Sequence, residues 1–244
     1  MASTTQYKVK SALLLIPFFI VLWALFMPWY NGPKGDKVNG LTYFDEFFNE
    51  VSKGSSFTEK SQADQMKKAA ALADPAFQST IKVKGDKKVN YSPENAAQAA
   101  AKLLTACGLQ ATAEGDKVAM AGDLGVLAKA VVQDCIDMYN NNGDALKGKY
   151  DMDPQQALYT WHQVMDGLGK SLTKDGKFEA AKTMQNFMTK AIEPAYNYYG
   201  VKITPVKDEM ALLAFALIFY VVYTVWYGFG ILYLFEGLGV NIGH

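Results

Sequence analysis

The residues most often used for chemistry are scarce in this chain. It has two histidines, His162 and His244, two cysteines, Cys107 and Cys135, and no arginine among its 24 basic side chains. There is no CxxC pair, no haem-attachment motif and no cluster of His and Cys. One copy of the chain therefore lacks the ligands for a transition-metal site built on several imidazoles or thiolates. His162 follows Trp161 on an amphipathic stretch. No acid, base or nucleophile stands at a spacing that selects it for a catalytic triad, so it reads as a half-buried packing residue.

Cys107 and Cys135 form a candidate disulfide if the segment carrying them lies outside the cytoplasm. Closing that loop would stabilise the fold by roughly 3 kcal/mol on chain-entropy grounds. The alternative is a pair of buried free thiols, favoured by the place of Cys135 on an apolar helical stripe. The acidic stretch DALKGKYDMD at residues 144–153 and the turn at residues 174–177 do not follow the ligand spacing of a calcium loop and read as solvated loops. With formal net charge zero and no arginine for bidentate recognition, the chain offers little to nucleic acid, nucleotide or phosphate. No cofactor is implied and no catalytic motif is present, so a non-enzymatic role is expected.

The least ordinary feature is the apolar run MALLAFALIFYVVYTVWYGFGILYLF at residues 210–235. About 20 apolar residues cross a bilayer, so this run suffices with some tilt. Tyr220, Tyr223 and Tyr227 recur near one helical face, and Gly228 and Gly230 permit close backbone approach. Tyrosine hydroxyls inside hydrocarbon want partners, because an unpaired polar group there is costly. These five residues are the candidate helix-packing interface, expected to face other integral membrane subunits or a second copy of the chain.

A second apolar run, SALLLIPFFIVLWALFMPWY, occupies residues 11–30. It is longer than a signal-peptide core and lacks a small-residue cleavage pattern, so it reads as an uncleaved anchor ending in interfacial Trp29 and Tyr30. The expected organisation is an N-terminal cytoplasmic flank at 1–10, a first transmembrane helix at 11–30, a mainly helical extracytoplasmic domain at 31–207, a second transmembrane helix at 208–236 and a short cytoplasmic tail at 237–244. Lys8 and Lys10 before the first span favour this orientation; Lys34, Lys37, Lys202 and Lys207 near the opposite face argue the other way, but long loops translocate largely regardless of charge. In a Gram-negative cell the middle domain would be periplasmic. The tail is too short to hold a signalling domain.

The expected fold class is mainly α, with two transmembrane helices flanking the helical domain and one or two small β-hairpins. Helices are expected at residues 41–53, 59–73, 93–106 and 124–139, then one beginning at Asp153-Pro154 and a long one at 178–199. In the Asp153-Pro154 helix, Leu158, Trp161, Met165, Leu168 and Leu172 form an inward seam. Hairpins are expected at residues 81–91, around Gly85-Asp86, and at 111–120. Gly-Asp-Lys recurs at Gly35, Gly85 and Gly115 and reads either as a repeat or as a favourable exposed turn. Together these features point to a membrane subunit that packs into a larger complex and contributes its outer domain to assembly, stabilisation or docking. The alternative is a membrane-anchored ligand-binding or sensory module that relays through a partner.

Overall fold

The computed structural model describes residues 4–32, 35–85 and 91–240. The fold is mainly α, with a long apolar helix near each terminus and a few short antiparallel strands. The chain divides into two compact units, one formed by residues 1–51 and 204–244, the other by residues 52–203.

In the first unit, α1 spans Thr4–Phe26 and α10 spans Met210–Gly237. At 1.5 Å per residue they are about 35 and 42 Å long, and both are long and apolar enough to cross a membrane. Their long apolar side chains stay outward, among them Leu13, Ile16, Phe215 and Ile218, as a hydrocarbon environment permits. Pro17 lies inside α1 without ending it. After α1, β1 (Tyr30–Asn31) and β2 (Lys37–Val38) form a two-stranded antiparallel ribbon. Helix α2 runs over Gly40–Ser56, and the Asn39 side chain receives the Thr42 N–H at its start. Near the other chain crossing, Thr204 bonds Glu50 twice, through its amide to the carbonyl and through its hydroxyl to the carboxylate.

The second unit contains α3 (Glu59–Ala70), β3 (Phe77–Lys82), α4 (Pro93–Ala106), β4 (Gln110–Glu114), β5 (Lys117–Gly122), α5 (Leu124–Tyr139), α6 (Gly143–Tyr150), α7 (Pro154–Lys174), α8 (Phe178–Phe187) and α9 (Glu193–Asn197). Capping fixes where its main helices begin. Thr58, Ser92, Asp123 and Asp153 each accept a backbone N–H from the first turn of α3, α4, α5 and α7. In α4 and α7 a proline follows the cap, where its missing N–H costs nothing. The five residues of the α7 seam are all buried, as are Leu127, Val131, Cys135 and Met138 of α5.

The sheet corrects the expected strand pairing. Its order is β3-β5-β4, all antiparallel, with Ile81 opposite Val118. The β4–β5 hairpin forms as expected, while β3 starts earlier than expected and pairs with β5. The second arm expected at 88–91 lies outside the described residues apart from Tyr91. Gly35 and Gly115 adopt positive φ in the turns that join β1 to β2 and β4 to β5, so at both places Gly-Asp-Lys serves as a tight turn. At Gly85 the Asp and Lys fall outside the described residues.

Two further expectations give way. Residues 144–153 do not form a loop: α6 occupies most of them and buries Leu146 and Tyr150. Asp144 lies in its first turn, Asp151 closes it in a left-handed conformation paired with Lys102, and Asp153 caps α7, so each acid has a local structural use. The helix expected over 178–199 is interrupted by a π-helical turn at Met188–Ile192, after which α9 starts with Pro194 in its first turn. Proline has no N–H for the carbonyl four residues back and its ring crowds that carbonyl; a wider turn relieves both. Phe178, the first residue of that expected helix, is 65% exposed although it is apolar.

Candidate functional site

The two long apolar helices form the first candidate. Phe18 of α1 is the centre of their contact: its ring stacks on Tyr223 with centroids 4.2 Å apart and meets Tyr227 at 4.9 Å and Trp226 at 6.2 Å. One side of this aromatic cluster has a polar tie. Ser11 donates its hydroxyl to the Gly230 carbonyl at 3.1 Å, and both residues are buried. A Cβ at Gly230 would stand 2.5 Å from Leu15 Cδ2, so Leu15 packs as it does because residue 230 has no side chain and would have to shift to admit one. Beyond it, Lys10 lies over the Tyr233 ring, which stacks on Tyr7.

The five residues expected to form one interface are therefore divided. Tyr223, Tyr227 and Gly230 meet the chain's own first apolar helix. Tyr220 is 70% exposed, and a Cβ at Gly228 would have open space for 4 Å around it. Thr224 lies between them on the outward side, its hydroxyl bonded back to the Tyr220 carbonyl. Tyr223 Oη and Trp226 Nε1 are enclosed and have no hydrogen-bond partner among the described residues.

In the second unit, Asp134 is the principal buried polar node, with its side chain 2% exposed. It interrupts the apolar stripe of α5 between Val131 and Cys135. One carboxylate oxygen accepts from Tyr150 Oη and from Trp161 Nε1 at 2.8 Å; the other pairs with Lys149 at 3.0 Å. This group joins α5, α6 and α7 at one point. The Cys107 thiol meets Tyr150 Oη at 3.3 Å, which ties in the end of α4.

The candidate Cys107–Cys135 disulfide is not formed; both are free thiols, the alternative that the place of Cys135 favoured. Cys107 closes α4 and turns to Tyr150, whereas Cys135 is enclosed in the core stripe of α5. Burial pushes both thiols up from the ordinary cysteine range, and the charge of Asp134 adds to the effect. Held protonated at neutral pH, they are poor nucleophiles.

Lys53 forms a second node. Its side chain is fully buried and has no carboxylate partner among the described residues. The ammonium donates to Asn141 Oδ1 at 2.9 Å, Tyr198 O at 2.9 Å and Val201 O at 2.7 Å, and lies over the Tyr139 ring. Three donors thus meet three acceptors. Asn141, in the left-handed region, also receives the Gly200 N–H and donates to Val201 O. Burial lowers the Lys53 pKa to about 8. Because the chain enters this unit at Ser52 and leaves it at Ile203, Lys53 and Asn141 clamp the two crossing points together.

The third feature is a cleft of about 220 Å³ between α7 and the segment that follows the π-turn. Leu158 and Ile192 form its buried floor, and Tyr159 and Tyr196 contribute rings. His162, Glu193 and Asn197 supply its polar groups. The extra residue of the π-turn shifts the register of everything after it by about 100°, the angle of one helical residue, and this brings Glu193, Tyr196 and Asn197 alongside α7. His162 is half-buried, as its sequence setting suggested, and lines this cleft.

Lys53, Asp134 and this cleft were not expected from the sequence. Asp134 alone carried a local signal, a charged residue on an apolar stripe. No protein-family model, curated protein sequence or solved structure matches the chain.

Proposed function

We propose that this protein is a non-catalytic integral membrane subunit that packs into a larger membrane complex and contributes its helical unit, outside the cytoplasm, to assembly or docking of a partner. The single observation that carries this reading is the side of α10 left free by α1. There Tyr220, Thr224 and Gly228 combine a polar hydroxyl with small residues four positions apart. Within hydrocarbon, small residues let another helix approach closely, and a tyrosine hydroxyl gains from an interhelical partner. Lys8 and Lys10 on the N-terminal flank support a cytoplasmic N-terminus and hence an outer location for the unit between the spans.

The test separates the two glycines. In mild detergent the native chain should co-purify with stoichiometric membrane partners or a second copy. Gly228→Leu should lower that recovery several-fold while leaving membrane insertion intact. Gly230→Leu should instead loosen α1 from α10, read as faster proteolysis of the isolated chain. Recovery of this chain alone from native membranes, with neither partner nor second copy, would overturn the assembly reading. The ligand-binding reading draws on a different observation, the cleft beside His162.

A further inference from the structure

Among the described residues, the cleft between α7 and α9 has one formally charged lining side chain, Glu193. Glu193 is exposed at the rim of the cleft, and its carboxylate has no hydrogen-bond or ion-pair partner among the described residues, so it is open to a soluble cation. Tyr159 and Tyr196 add two aromatic rings, whose faces attract cations. The floor of Leu158 and Ile192 accepts alkyl groups but offers no polar partner.

From this combination we infer that the cleft binds a small alkylammonium cation, its charge set against Glu193 and its methyl or methylene groups between the tyrosine rings and the apolar floor. The inference rests on the ligand-binding reading and is independent of the assembly reading. An anionic ligand would face Glu193 with no lysine among the described lining residues to offset it. A neutral apolar ligand would gain nothing from that carboxylate and would displace part of its hydration. The volume of about 220 Å³ is below the range for drug-sized ligands and limits the occupant to a small molecule. Asn197 and His162 can hydrogen-bond a hydroxyl on the same ligand.

The same headgroup chemistry occurs on a free quaternary amine and on a choline lipid, so the experiment distinguishes them. Full-length protein is placed in nanodiscs of phosphatidylglycerol and titrated calorimetrically with choline, and separately with 3,3-dimethylbutan-1-ol, which has the same shape without charge. Saturable choline binding is expected, with the neutral analogue at least about tenfold weaker. Glu193→Gln and Tyr196→Ala should each weaken choline by a similar factor with the helical circular dichroism unchanged. Repeating the titration in phosphatidylcholine nanodiscs identifies the source: loss of choline binding there marks a lipid headgroup as occupant, and retained binding marks a free cation. Absence of saturable choline binding in phosphatidylglycerol, equal binding of the neutral analogue, or folded Glu193 and Tyr196 variants with native affinity would each overturn the inference. Failure here with intact co-purification would leave the assembly reading standing.

Discussion

At the scale of single residues, two buried polar groups hold the helical unit in one arrangement by opposite means. Asp134 is a carboxylate satisfied by three donors from α6 and α7. Removing it leaves Trp161 Nε1 and Tyr150 Oη enclosed without an acceptor and Lys149 without its partner. Lys149 is exposed enough to be solvated, so the cost lies in the two enclosed donors, and Asp134→Ala should destabilise by about 2–5 kcal/mol, as read by urea unfolding followed through tryptophan fluorescence. Lys53 is a cation satisfied by neutral oxygens. Its pKa falls from 10.5 to about 8 on folding, so between these values the unfolded chain holds a proton that the folded chain has released. Stability should then rise with pH across that window, and Lys53→Met should remove that component of the rise in unfolding measurements at a series of pH values.

At the scale of elements, two glycines of one helix make opposite demands. A Cβ at Gly167 would lie 2.9 Å from Ile81 Cβ, so α7 approaches β3 as closely as it does because residue 167 has no side chain. At Gly169 the nearest atoms would be 3.8 Å away, an ordinary contact. Gly169→Ala should stabilise by up to about 1 kcal/mol through helix propensity, whereas Gly167→Ala should cost about 1–3 kcal/mol through overpacking. Thermal unfolding of the two variants side by side checks the difference in sign. Both glycines are alike in sequence, two positions apart in one amphipathic helix. What separates them is the strand that happens to cross beneath one of them. The π-turn is similar: Pro194 announces a disturbance, but its form as a widened turn, and the cleft it helps create, depend on how α9 settles beside α7.

At the scale of the whole molecule, the chain is two compact units joined at two crossings, near residues 51 and 204. On one side of that boundary Thr204 is held by Glu50; on the other, Lys53 and Asn141 hold the segment ending at Val201. Within each unit the ends of the two crossing segments are thus tied to one another. The separation of the Gly228 and Gly230 phenotypes belongs at this scale, because one glycine serves the pairing of the chain with itself and the other a surface that pairing leaves free.

Composition, periodicity and capping residues by themselves determined the two apolar helices, the mainly helical class and most helix starts. These follow from local rules: a run of apolar side chains about 20 residues long, an alternation that suits one face of a helix, and an oxygen or proline at a first turn. The tertiary structure alone decided which strand pairs with which, that Cys107 turns to Tyr150 and not to Cys135, and that Tyr223, Tyr227 and Gly230 meet Phe18, Leu15 and Ser11 while Tyr220 and Gly228 do not. It also decided that a lone lysine and a lone histidine acquire an oxygen cage and a cleft. The physical reason is range. Helix formation is settled among neighbours within a turn or two, whereas these contacts join residues far apart in the chain, and no local pattern records which distant partner will arrive.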